Sequence, residues 1–303
     1  MSDILLRAGS FISIILLGYI LKQIGFFKDE DFHILSRITI RITLPCAIIT
    51  SFAGKQIDPA LLSLSFMAIG CGLIYIGIGY LSNRNRSRDQ QAFEMLNLPG
   101  YNIGTFVIPF AQSFLGAIGV IAVSLFDTGN AVICLGGAYS LAAMVKKGDR
   151  FSIKRIIVTL SKSVPFVTYI TMLLINLMKL SVPEFVLSVA NIGSNANAFM
   201  AMLMIGVGFK LEFRNKAQMG TVLKLLSIRY AVATVFALVF YFLLPFALEV
   251  RQALVILVFS PIGSAVPGFT GELKGDVGLS SAVNSFAMVI SIAITVALLI
   301  FML

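Results

Sequence analysis

Leu98-Pro99-Gly100-Tyr101-Asn102-Ile103-Gly104-Thr105-Phe106-Val107-Ile108-Pro109 interrupts an otherwise apolar stretch, and its core returns later as Pro261-Ile262-Gly263-Ser264-Ala265-Val266-Pro267. Both copies hold Ile-Gly, then Thr or Ser, then proline, so that Gly104 corresponds to Gly263 and Pro109 to Pro267. Proline has no amide hydrogen, so inside a helix Pro109 frees the carbonyl of Thr105 and Pro267 that of Gly263. Within a bilayer such freed backbone is tolerated where it is buried in protein or lines a cavity. One such helix is equally an ordinary proline kink. Two at matched positions predict broken helices that cross, whose half-helix ends present partial charges to a ligand.

Outward from these two motifs the chain resolves into ten apolar runs, at 4–21, 34–54, 59–81, 97–117, 119–145, 156–178, 183–209, 222–244, 252–271 and 277–303. Each approaches the ~20 residues that cross a ~30 Å hydrocarbon core. The first run maps onto the sixth and the fifth onto the tenth. Each half has an odd number of segments, so the second half inserts upside down relative to the first. The expected fold is therefore an all-α polytopic membrane protein, with ten transmembrane helices in two inverted five-helix repeats and crossed, broken helices four and nine. The repeats occupy 1–145 and 156–303, joined by a cytoplasmic linker at 146–155.

The composition agrees: 58% of the 303 residues are hydrophobic and 12% charged, against about 45–50% and about 25% in a soluble domain. Mean hydropathy is +0.96. The net charge of +9 sits in short loops between apolar runs, which points to membrane topology rather than nucleic acid. Loops after the odd-numbered segments carry 14 Lys and Arg and the opposite loops 4. That bias places the chain in the cell membrane with both termini outside the cytoplasm. The N-terminus lacks a basic n-region and a cleavage pattern, and reads as a retained first helix. Cys46, Cys71 and Cys134 lie in apolar runs and form neither a disulfide framework nor a zinc pattern.

Asp127 stands in the fifth segment, in LFDTGNAVICLGG. An ionisable group at membrane depth costs about 2.5–3.5 kcal/mol on insertion scales and marks a functional candidate, here a coupling or substrate-facing carboxylate. Asn130 and Cys134 follow on the same helical face. The repeat carries Asp127 onto Asn284 in the tenth segment. An interhelical hydrogen-bond clasp is the structural alternative. In the seventh segment, ANIGSNANAFMAM holds Asn191, Ser194, Asn195 and Asn197, with Asn191 and Asn195 on one face, suited to interhelical bonds or to lining a polar cavity. Of the bases within helices, Arg37 reads as a snorkelling residue and Lys162 and Lys224 as anchors at cytoplasmic ends. Arg41, whose carbonyl Pro45 frees, either snorkels or attracts an anion. Arg229 lies deeper and should meet an acid or a cavity.

Catalysis is disfavoured. His33 is the single histidine and lies in a loop, so neither a His-based triad nor a two-histidine metal site can form in the membrane. There is no phosphate-binding loop and no second intramembrane acid beside Asp127. No metal or organic cofactor is expected.

On four segments the sequence resembles the auxin efflux carrier family, which includes plant auxin exporters and bacterial malate-type permeases. These are RITIRITLPCAIITSF, with Pro45; PGYNIGTFVIPF, where Asn102 precedes Pro109 by seven residues; LFDTGNAVICLGG, with Asp127 and Asn130; and ANIGSNANAFMAMLMIGVGFKL. The resemblance implies ten helices in inverted repeats and elevator-like transport of organic anions. It also implies that Asn102 and Asn130 contact a substrate carboxylate and that Pro109 and Pro267 create the crossover. The second-half motif is shorter than the family pattern, and the short connection between halves is that of a prokaryotic permease.

The expectation is thus a secondary transporter of a small organic anion, such as a carboxylate, working by alternating access. Asn102, Asn130, Asn195, Asn284, Gly104 and Gly263 would surround the substrate. Asp127 would couple transport to an ion gradient, protons in preference to sodium. The partners are that anion and the lipid bilayer, and a homodimer is compatible with the sequence. A drug/metabolite-type exporter and a non-transporting membrane sensor are the alternatives. The exporter would place the termini in the cytoplasm, against the charge count.

Overall fold

The computed structural model describes residues 2–209 and 216–302, and every regular element among them is helical. In chain order these are α1 (Ser2–Gln23), α2 (Asp31–Phe52), α3 (Ser63–Leu81), α4 (Arg88–Asn97), α5 (103–115), α6 (Gly116–Val132), α7 (Ala138–Lys147), α8 (Ile153–Ser161), α9 (Val164–Leu177), α10 (Glu184–Gly208), α11 (Lys216–Leu243), α12 (Leu248–Val258), α13 (Val266–Glu272) and α14 (Val277–Met302). Lys210 and Arg214, two bases of the topology count, lie outside the described residues.

All ten apolar segments are helical, yet among the described residues seven helical runs are long and apolar enough to cross a membrane, or eight if α8 and α9 count as one span. The difference has a physical cause. Segments six and nine are interrupted, as α8/α9 and α12/α13, and α8 meets α9 at 80°. Segment four, expected at 97–117, breaks at its start, and α4 before it is a helix where a polar loop was expected. Pieces of 7, 9, 10 or 11 residues rise only about 1.5 Å per residue and cannot span the core alone. Conversely, the continuous run Ile103–Lys147 has 45 residues, more than twice a span. The backbone turns within it at Gly116, whose φ of 64° lies in the left-handed region where a side chain is strained. The reversal brings the Tyr101 amide to 3.0 Å from Asn130 Oδ1. Along a straight helix those residues would be about 43 Å apart.

Small residues set the packing. Gly129 on α6 rests against the backbone of Ser65 on α3 with no room for a Cβ. The Ser65 hydroxyl closes the same contact by donating to Leu125 O at 2.7 Å. Close backbone approach through glycine is how apolar helices associate where no hydrophobic force drives them together. Residues of α6 and α12 form the buried centre, whereas α1, α10, α11 and α14 carry outward Leu6, Leu16, Ile20, Phe185, Ile192, Phe242 and Phe301. These outer faces are what a lipid-immersed, multi-pass protein presents.

Candidate functional site

Two of the breaks meet. The amide of Asn102 donates to the carbonyl of Pro261 at 2.9 Å, joining the break at 98–102 to the break at 259–265. Gly100 permits the first break, since its φ of 83° is left-handed and a Cβ there would strike Cys134 Sγ. Pro99 beside it cannot donate to a helical ladder. Pro109, expected at the break, lies instead inside α5, buried and flanked by π-turns at Ile103–Val107 and Ala111–Leu115. Widened turns of this kind absorb the bond that proline removes. Pro267 likewise sits in the first turn of α13, where a missing amide hydrogen is harmless. Each proline flagged the right segment, but the chain leaves helical geometry several residues earlier.

Arg229, on α11 and 1% exposed, meets neither an acid nor a ligand cavity among the described residues. Its Nη1 donates to Leu98 O at 2.6 Å, and Nη2 to Gly100 O and Ser260 O at 2.9 Å and to Pro261 O at 3.3 Å. One side chain therefore ties together carbonyls of both breaks, just beyond the ends of α4 and α12.

Asp127 is held from two sides. Oδ1 accepts from Asn130 Nδ2 at 2.8 Å and Oδ2 from the Tyr169 hydroxyl of α9 at 2.9 Å. Asn130 also donates to Tyr101 O at 2.9 Å while its Oδ1 accepts from Tyr101 N and from the Cys134 thiol. The amide group thus pairs with the main chain of Tyr101 as a strand neighbour would. It ties the first break to α6, with all its hydrogen-bonding capacity in use in this conformation.

Beside the crossing lies a cavity of about 130 Å³, bordered by 101–105, Asp127, Asn130, Cys134, Ser163, Pro165, Tyr169 and 263–265. Ser163 caps α9, so the α8/α9 bend forms the third irregular wall. Thr105 donates to Asn102 Oδ1 at 2.6 Å, which turns that amide in place. A smaller cavity of about 60 Å³ shares Asn102 and Ser264 with the first and is lined also by Asn284, Ser285 and Met204. The Oδ1 of Asn284 is buried there without a partner among the described residues.

Of the residues expected at a site, Asn102, Gly104, Asp127, Asn130 and Gly263 thus gather at one cavity, and Asn284 lies at its neighbour. Asn195 is exposed on the outer side of α10, as is Asn191. The inward residues are Ser194 and Asn197. Asn197 accepts from Thr43 at 3.0 Å and donates to Gln112 at 2.9 Å, and Gln112 in turn donates to Ser194 at 3.1 Å. Arg37, Arg41 and Lys162 are exposed, whereas Lys224 pairs with the buried carboxylate of Glu94 at 2.7 Å rather than anchoring alone. Tyr169 and the carbonyl-binding role of Arg229 were not legible. A tyrosine among apolar residues reads as core, and carbonyl partners leave no mark in a sequence.

A polar cavity enclosed by three irregular helices, with one acid, free amide and hydroxyl groups and a hidden cation, suits reversible binding of a small polar solute. Comparison with known proteins points to transport. A curated protein of Methanothermobacter thermautotrophicus, named an uncharacterized transporter, is 28% identical over 129 residues, covering 41% of this chain and 42% of that protein. The chain therefore aligns with less than half the length of that relative. A family model described as membrane transport protein matches residues 10–163. With half of its length matched, including the first break, Asp127 and Asn130, the chain belongs to the membrane transport protein family, that of the auxin efflux carriers.

Proposed function

We propose that the protein is a secondary active transporter of a small organic anion such as a carboxylate, working by alternating access between two inverted five-helix repeats with crossed helices four and nine. In this reading the ten segments all cross the membrane, with both termini outside the cytoplasm. The observation that carries the reading is the backbone bond from Asn102 to Pro261 beside the cavity that contains Asp127. Broken helices joined at their breaks are found at the substrate sites of transporters, where backbone freed from its ladder is used for binding. The start of α5 brings the positive end of its dipole to this cavity. Asn102, with an amide nitrogen that has no partner among the described residues, donates to the substrate carboxylate.

Asp127 exchanges a proton with the gradient as the substrate binds and leaves. Its contact with Tyr169 links α6 to α9, so a change in its charge alters the contact between two packed helices. The test is a thermal-shift screen of the purified protein against mono- and dicarboxylates at pH 5.5 and 7.5, with and without sodium. Stabilisation by one or more carboxylates, stronger at the lower pH and indifferent to sodium, is the expected result. A protein stabilised by none of them is not an organic-anion carrier, and dependence on sodium would replace protons as the coupling ion.

A further inference from the structure

The carbonyls that converge on Arg229 lie one to three residues beyond the last turns of α4 and α12, next to helix ends whose aligned peptide dipoles leave about half a negative charge each. A hydrogen-bonding clasp alone would need only neutral donors. A guanidinium brings a full charge into a place where it is 1% exposed and has, among the described residues, no carboxylate partner. Its Nε is buried without an acceptor among the described residues. The faces of Tyr75 and Tyr101, with ring centroids 5.6 and 5.2 Å from the guanidinium carbon, offset part of the burial. The Tyr75 hydroxyl also donates to Arg229 O at 2.9 Å, fixing the turn of α11 from which the side chain extends.

The cavity lies on the other side of the same backbone. Gly100 O accepts from Arg229, the next residue, Tyr101, pairs with Asn130, and Asn130 donates to Asp127. A buried cation and a half-buried acid therefore lie along one path of bonds without forming an ion pair. With the two carbonyl ends offset by the guanidinium, the charges left to act in the cavity are the positive start of α5 and Asp127.

We propose that Arg229 is a positioning residue that sets the anion preference of the cavity. It joins the two breaks and cancels the negative ends of α4 and α12, which would otherwise repel an anion. This inference rests on the anion-carrier reading, but its test needs no substrate.

Cys134 provides the test, because its thiol lines the cavity and lies against both Gly100 and Gly263. In the full-length protein with Cys46→Ser and Cys71→Ser, Cys134 is treated with methanethiosulfonates that differ in charge, 2-sulfonatoethyl and 2-(trimethylammonio)ethyl. The anionic-to-cationic rate ratio, normalised to a small free thiol, reports the local potential and is independent of the thiolate fraction. Arg229→Lys keeps the charge and should hold the ratio within about threefold, whereas Arg229→Gln keeps N–H donors without charge and should lower it by about tenfold or more. Asp127→Asn should raise it.

The pair Asp127→Asn and Asp127→Asn/Arg229→Gln repeats the comparison with both charges removed together, so the inference is tested even where Arg229→Gln alone does not fold. The double variant should fall about tenfold below Asp127→Asn. A folded Arg229→Gln protein with an unchanged ratio, or a double variant that matches Asp127→Asn, would overturn the proposal. A wild-type protein that exchanges no carboxylate but shows the expected ratios refutes the proposed substrate class and leaves this role of Arg229 standing.

Discussion

The hydroxyl of Tyr169 donates to Oδ2 of Asp127 across 2.9 Å, from a helix that begins at a sharp bend to one that packs against the crossing of two breaks. Tyr169 is 1% exposed and Asp127 half-buried, so water has little access to replace a bond lost between them. Tyr169→Phe should therefore destabilise the protein by about 1–3 kcal/mol, the penalty of an unmade buried hydrogen bond. The same change in an Asp127→Asn background should be less severe, because an amide is easier to leave unpaired than a carboxylate. Melting temperatures of the four proteins in one detergent give the coupling. Strict additivity would mean that the contact has no energetic role.

Asp127→Asn should abolish the pH dependence of carboxylate uptake into proteoliposomes while the protein elutes and melts as a folded species. The variant keeps an acceptor for Tyr169 and removes the titrating group. A pH profile parallel to the wild type would exclude Asp127 from coupling.

On α10, Asn197→Ala removes the Oδ1 acceptor of the Thr43 hydroxyl, which also donates to Thr39 O, and leaves Gln112 Oε1 without its donor, and should cost about 1–3 kcal/mol. Asn195→Ala, on the exposed side of the same helix, should change stability by less than about 0.5 kcal/mol. Thermal melts separate them, and equal losses would contradict the orientation of α10.

Gly129→Ala places a methyl group on the backbone of Ser65 and should destabilise the α3–α6 contact by about 1–3 kcal/mol, as overpacking does. Gly77→Ala on the open side of α3 meets nothing within 4 Å and should stabilise by up to about 1 kcal/mol through helix propensity. The sign of the two melting shifts checks the packing.

Hydropathy and composition placed the long apolar helices, and proline and glycine marked two of the breaks. However, α4 (Arg88–Asn97) is a helix in a polar stretch that reads as a loop, and the bend between α8 and α9 carried no mark. The exact break was not legible: Pro109 is accommodated by π-turns, and Pro99-Gly100 gives way first. Asn195 and Asn197 differ by two residues and face opposite ways, and only the neighbours that pack on α10 decide which is inside. Asp127 and Asn130 were legible since a polar group in lipid is conspicuous. Tyr169 and the four carbonyl partners of Arg229 were not, since they depend on segments brought together only by the fold.

The central claim is that the crossing at Asn102 and Pro261 is the site of an anion carrier, and counterflow tests it most directly. Proteoliposomes are loaded with unlabelled carboxylate, diluted into a trace of the labelled compound, and compared with liposomes bearing Asn102→Ala. Transient accumulation of label by the wild type, reduced about tenfold or more when the free amide of Asn102 is lost, is the expected result. Absence of exchange for every carboxylate that stabilises the protein would contradict the account, leaving a receptor that binds without transporting.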